Sequence, residues 1–288
     1  MELQKIIDQK KVVFFDGAIG TELARRGLET SGLINLSNPE HILDFHREYA
    51  KAGVDIFTTN TFTMNKINIE AQKKAIDVQE VNLAGVKLAR EAAGRDQFVF
   101  GDIGPTGKLL EPYGTYSEEQ FYENFREQAL ALAAGGVDGI IIETMTDLRE
   151  AVCALKAVKA VANLPVIVTL SYATTEKGGR TVMGNTVEQA AAVLEEHGAD
   201  AIGANCGELS PVEMAQLAAL YREHTSLPVI IQPNAGKPKL IKGQTVFDMP
   251  ADDFADGVER CVENGASIIG GCCGTTVEHL RAVLKRFR

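Results

Sequence analysis

Residues 187–206 read VEQAAAVLEEHGADAIGANC, and they hold one full unit of the repeat from which the fold follows. From Val187 to His197 apolar residues recur every three or four positions, and the run closes on Gly198, the pattern of an amphipathic helix with a glycine cap. The next stretch, DAIGANC from Asp200, is short, apolar and strand-like, and it ends on Cys206. Ser210-Pro211-Val212-Glu213 then has the form of a capping box with proline at the first helical position. A helix therefore follows Cys206 after a short loop, which leaves the cysteine at a strand's carboxyl end.

The same alternation runs outward in both directions. Eight apolar, β-rich runs can be read: VVFF from Val12, VDIFTT from Val54, FVFGDI from Phe98, VDGIIIET from Val137, PVIVTLSY from Pro165, DAIGANC from Asp200, PVIIQPN from Pro228 and ASIIGG from Ala266. Between them lie helical patterns such as HILDFHREYAKAG, EEQFYENFREQALALAAGG, LREAVCALKAVKAVA and FADGVERCVENG. Eight such alternations in 288 residues predict an α/β fold, a (β/α)8 TIM barrel forming a single domain over 1–288, near the ~250 residues typical of that architecture.

With 45% hydrophobic and 24% charged residues, the composition is that of an ordinary globular protein without low-complexity linkers. A net charge of −10 argues against nucleic acid as a partner, because phosphate-backbone binding draws on clustered Lys and Arg. The opening MELQKIIDQKK lacks the apolar core of a signal peptide, and no later apolar run approaches the ~20 residues needed to span a bilayer. The expectation is a cytoplasmic protein that does not engage membranes. Five cysteines, an odd number in a long chain, fit reduced thiols better than a disulfide framework. Cys153 and Cys261 fall in helical patterns and are expected in the core.

Chemistry in such barrels gathers at the carboxyl ends of the strands, and polar residues cluster there in this chain. Asp16-Gly17 follows the first strand, Thr59-Asn60-Thr61 the second, Asp102 the third, Glu143-Thr144 the fourth and Gln232-Pro233-Asn234 the seventh. Cys206 ends the sixth run, and Cys272 and Cys273 stand in IIGGCCGTT after the eighth. Three thiolates are soft ligands that select zinc, and they leave the fourth tetrahedral position open, as in catalytic sites. Neighbours in an extended strand point to opposite faces, so Cys272 and Cys273 can share one ion only if the backbone leaves β geometry; Gly270, Gly271 and Gly274 permit this. The rival readings of the thiols are buried small apolar groups, a redox pair, or bystanders in a glycine-rich phosphate loop. His41, His46, His197, His224 and His279 all fall in helix-like stretches and offer no convincing ligand.

Taken in order, DGAIGTEL, TTNTF, GDIGPTG, GVDGIIIETM, GANC, QPNAGKP and GGCCGTT cover nearly the whole chain. The set resembles the homocysteine S-methyltransferase family, zinc-dependent homocysteine-binding barrels, and is most similar to the N-terminal homocysteine module of cobalamin-dependent methionine synthase. The resemblance implies that Cys206, Cys272 and Cys273 bind one Zn2+ and that homocysteine, methylated to methionine, supplies the fourth ligand through sulfur. It also implies that Asp16 and Glu143 contact the acceptor's amino-acid end, with backbone amides around Gly17 and the turn Thr59-Asn60-Thr61 serving the carboxylate. The alternative for Asp16 is a local Asp-Gly turn, and for Glu143 an inter-strand ion pair. A structural role is expected for Asn60, while Asn234 could orient substrate or hold a loop. Asp102 could lie near the site or tie down the turn Gly104-Pro105-Thr106-Gly107.

A free alkyl thiol is only a few per cent thiolate at neutral pH, so a metal that removes its proton makes a separate general base unnecessary. The chain ends at Arg288 with no room for a corrinoid module, so the expected donor is a methylated corrinoid in trans, either a separate corrinoid carrier protein or methylcobalamin. A betaine- or S-methylmethionine-type onium donor and a related thiol acceptor remain as alternatives. Onium recognition calls for aromatic faces, yet there is no Trp, and only Tyr113, Tyr116 and Tyr172 fall in rim loops. From other classes, a Schiff-base aldolase would need a strand-end Lys that the eight runs lack. A non-catalytic zinc- or thiol-binding barrel would leave Asp16 and Glu143 unexplained.

Overall fold

The β-branched and aromatic runs form the strands of a parallel barrel in the computed structural model, which describes residues 3–241 and 243–288. The strands are β1 (Val13–Phe14), β2 (Ile56–Thr58), β3 (Phe98–Ile103), β4 (Gly139–Met145), β5 (Val166–Leu170), β6 (Ala201–Asn205), β7 (Val229–Gln232), β8 (Lys239–Ile241), β9 (Gln244–Val246) and β10 (Ile268–Ile269). Eight of them pair in parallel in the order β1-β10-β7-β6-β5-β4-β3-β2. A further parallel bridge between Phe15 and Ile56 brings the two ends of that sheet together. All eight expected strands are present. The antiparallel pair β8-β9, a hairpin in the connection after β7, was not anticipated.

Side-chain parity positions the site. Phe15, Ile56, Phe100, Ile141, Ile167, Ala201, Ile230 and Ile268 point into the barrel and fill it, and Leu3, Ile6 and Ile7 of the helix Leu3–Lys10 close its amino end. The alternate residues, among them Phe14, Phe57, Val99, Ile140 and Val168, pack outward under the helices. Continuing the inward parity toward the carboxyl ends brings up Gly17, Thr58, Asp102, Glu143, Thr169, Asn205 and Gln232. One set of positions thus changes from apolar to polar at the catalytic end of the barrel.

The connections follow their sequence signals. Ser210 caps the helix Pro211–His224 as expected, its Oγ accepting from Glu213 N while Glu213 Oε2 accepts from Ser210 N at 2.8 Å. Where β1 meets β2, buried Asp55 accepts from Phe14 N at 2.8 Å, and Lys10 and Arg288 both reach its other oxygen. Among the described residues no helix is long and apolar enough to cross a membrane.

Candidate active site

A cavity of about 480 Å3 opens at the carboxyl ends of the strands. Its wall carries Asp16, Asp102 and Glu143, the three thiols Cys206, Cys272 and Cys273, and, among the described residues, no Lys, Arg or His. A low-dielectric hollow bearing carboxylates without a countercharge is suited to a cationic group.

Each thiol reaches the cavity through a break in regular structure. Cys206 lies one residue beyond β6 with φ +59, in the left-handed region that non-glycine residues rarely enter. Cys272 and Cys273 lie beyond β10, which stops at Ile269, so the expected departure from β geometry is an end of the strand and a turn. Thr275 holds that turn, its N–H and Oγ donating to the carbonyl of Cys272 at 3.1 and 2.7 Å. Cys272 N donates to Pro233 O at 2.8 Å, Ala235 N to Cys273 O at 2.9 Å, and Gly274 N to Thr21 Oγ1 at 3.0 Å, which ties the pair to the loop after β7 and to the helix Ile19–Arg25 after β1. Gly274 takes φ +80, as the turn requires.

The three sulfurs lie within 4.8 Å of one another, and Cys206 Sγ is 3.8 Å from Cys273 Sγ. Tetrahedral Zn–S bonds of about 2.3 Å imply sulfur separations of about 3.8 Å, so the trio could hold a metal ion of that kind. Hydrogen bonds from Cys272 and Cys273 hold the Cys206 thiol well below the usual range, while the same contacts, with burial, push its two neighbours up.

Burial raises Asp16 to about 8, against the lowering effect of Thr58, whose Oγ1 and N–H donate to it at 3.0 and 3.1 Å. These bonds run from β2 to the end of β1, so Asp16 is not capping a local Asp-Gly turn. Glu143 is pushed up to about 8 by burial, then by the charges of Cys206 and Asp16. No ion pair holds it among the described residues, so the inter-strand salt bridge is absent there. Asp102 is raised well above its ordinary value by burial, then by Glu143 and Asp16, and its Oδ1 has no partner. Of the two roles open to Asp102, it lines the cavity, and the turn Gly104-Pro105-Thr106-Gly107 leans on Glu150, whose Oε1 accepts from both Thr106 N and Oγ1 at 2.7 Å.

Gly17 lies on the cavity wall, where a Cβ would sit 2.5 Å from Tyr49 Oη and 2.7 Å from Thr275 Oγ1. Thr59 and Asn60 also face the cavity, but their side chains are engaged elsewhere. Thr59 Oγ1 accepts from Asp102 N at 3.0 Å, and Asn60 Nδ2 donates to Asn35 Oδ1 at 2.9 Å. Asn234 lies outside the cavity lining and donates to Gly207 O at 2.7 Å across the loops after β6 and β7. Gln232, one of the strand-end polar residues, lines the cavity, as do Thr58 and Phe62, which were not singled out; strand parity from Ile56 would have found Thr58. Of the rim tyrosines, Tyr172 is buried and bonded to Tyr221 at 2.7 Å, Tyr116 packs on Phe121, and Tyr113 is exposed; none lines the cavity.

Comparison with known proteins places this geometry among relatives. A family model described as homocysteine S-methyltransferase matches residues 13–287. The methionine synthase of Mycobacterium leprae (strain TN) is 31% identical over 95% of this chain and 24% of its own length. That of Mycobacterium tuberculosis (strain ATCC 25618 / H37Rv) is 31% identical over 98% of this chain and 25% of its own. The chain thus spans about a quarter of the length of these relatives. In fold, it is similar to the metallated form of the homocysteine methyltransferase MmuM from Escherichia coli, with a TM-score of 0.82 at 22% identity, covering 99% of this chain and 100% of that one.

Proposed function

The chain belongs to the homocysteine S-methyltransferase family, a family of methyltransferases, and from that premise we propose that it methylates the sulfur of homocysteine to give methionine, with Cys206, Cys272 and Cys273 holding one Zn2+. The observation that carries this reading is the convergence of three sulfurs in a cavity lined also by carboxyl groups and, among the described residues, by no cation. Zinc held by three thiolates lowers the pKa of an incoming thiol, so that it reacts as its anion at neutral pH.

The chain's own residues bind and orient the acceptor. Asp16 and Glu143 take its ammonium, and either carboxylate is the complementary charge-assisted partner. The N–H groups of Gly17 and Asn60 have no protein acceptor among the described residues, which suits them to the substrate carboxylate. The acceptor's sulfur forms a bond to the methyl carbon as the methyl–donor bond breaks in line, its electron pair leaving with the donor. The whole chain, 1–288, acts in this reading as one homocysteine-binding unit.

For the donor, the cavity favours a methylated corrinoid, delivered by a separate carrier protein or as methylcobalamin. Phe62 is the one aromatic ring among the described lining residues, too little for an aromatic cage around an onium group. The test is methionine formation by the zinc-loaded chain with homocysteine and, in turn, methylcobalamin, a methylated corrinoid protein, betaine and S-methylmethionine. Methionine from a corrinoid alone is expected. Turnover with an onium donor alone would overturn the donor assignment, and homocysteine binding by metal-free protein would overturn the thiol site.

A further inference from the structure

Asn205 is wholly buried, lies behind the cavity wall, and has every polar position of its amide engaged. Its Oδ1 accepts from Thr144 N and from Thr169 Oγ1, both at 2.8 Å. Its Nδ2 donates to Thr144 Oγ1 at 2.7 Å and faces Cys272 Sγ at 3.8 Å. Because Thr144 N can only donate, the amide has one orientation.

Thr144 needs that grip. Its φ is +62, a left-handed backbone that β-branched residues avoid, and the β4–β5 register shifts between Ile142 and Met145. The irregularity turns the end of β4 so that Glu143 and Thr144 both line the cavity. One side chain on β6 thus holds the backbone beside the carboxylate and touches a sulfur of the thiol cluster.

We propose that Asn205 is a positioning residue that fixes the spacing between Glu143 and the thiol cluster, and so selects acceptors by chain length. The inference rests on the acceptor reading above, in which Glu143 takes the ammonium of a ligand whose sulfur meets the thiol cluster, so that a change in their spacing falls on the number of methylenes between the two groups.

The test is calorimetric titration of the zinc-loaded full chain with homocysteine and with cysteine, for the wild type, Asn205→Ala, Thr144→Gly and the double variant. Asn205→Ala is expected to keep about one zinc per chain and to weaken homocysteine binding about tenfold while changing cysteine binding little, so that the preference collapses. The double variant is expected to lose no more than Asn205→Ala, because both changes break one bridge. An unchanged preference in folded, zinc-loaded Asn205→Ala, an equal loss for both thiols, or additive losses would each overturn the proposal. Should Asn205→Ala fail to fold, Asn205→Asp keeps the acceptor for Thr144 N and loses the Nδ2 donors; a wild-type preference there overturns it equally. A wild-type chain that binds zinc but not homocysteine removes the acceptor reading itself, and this inference with it.

Discussion

Cys153 and Cys261 differ from Cys206, Cys272 and Cys273 in backbone more than in surroundings. The first two sit within the helices Leu148–Val161 and Ala251–Glu263, where the regular backbone holds the sulfur against the core, and burial pushes both thiols up to about 12. The Cys261 thiol donates to a helical carbonyl, Pro211 O, at 3.4 Å. The other three stand where strands have ended, and turns or a left-handed φ let the sulfurs converge from two separate loops. Burial alone thus does not mark a ligand. A thiol becomes available to a metal where the regular strand has ended and a turn or a left-handed backbone sets the direction of its side chain.

The largest expected effect follows from breaking this contrast at its functional end. Cys273→Ser should take zinc content from about one per chain to near none by elemental analysis, whereas Cys153→Ser should leave it unchanged. Retention of zinc by Cys273→Ser would remove the contrast.

The helix that buries Cys153 also buries Glu150, raised from 4.5 to about 7 chiefly by burial, with Thr106 opposing. Between those pH values the unfolded chain has ionised while the folded chain keeps the proton. Stability is therefore lost as pH rises from 4.5 through 7, by about 3 kcal/mol at ~1.4 kcal/mol per pH unit. Glu150→Gln, which keeps an acceptor for Thr106 N, should flatten that slope in denaturant titrations; an unaltered slope would assign it to other groups.

At the site, Glu143→Gln should weaken homocysteine binding by about 1–3 kcal/mol in calorimetry with zinc content unaltered, the cost of losing a charge-assisted partner. The smallest effect belongs to the core thiol: Cys261→Ala should cost about 1 kcal/mol of stability and nothing in zinc content.

What could be read in the sequence was local. The eight strand runs, the capping box at Ser210 and the strand-end position of Cys206 are all set by neighbours in the chain, and each is found where expected. Contacts distant in sequence were not legible. Asp102 was a reasonable support for the turn Gly104-Pro105-Thr106-Gly107, but the carboxylate that does it, Glu150, comes from the helix Leu148–Val161 that follows β4. The run ASIIGG reads as strand to Gly271, yet β10 ends at Ile269, and Cys272 N then bonds to Pro233 O in the loop after the neighbouring strand β7. The hairpin β8-β9 has three residue pairs and an exposed first strand, too little apolar pattern to register. Likewise, the amide of Asn205 is one more polar residue before a cysteine until Thr144, 61 residues away, is seen to need it.

The most direct measurement is zinc K-edge X-ray absorption of the purified chain with and without homocysteine. Three protein sulfurs at about 2.3 Å, rising to four when homocysteine is added, are the predicted result. A bound zinc whose sulfur count stays at three with saturating homocysteine, or a reduced chain that takes up no zinc, would contradict the account.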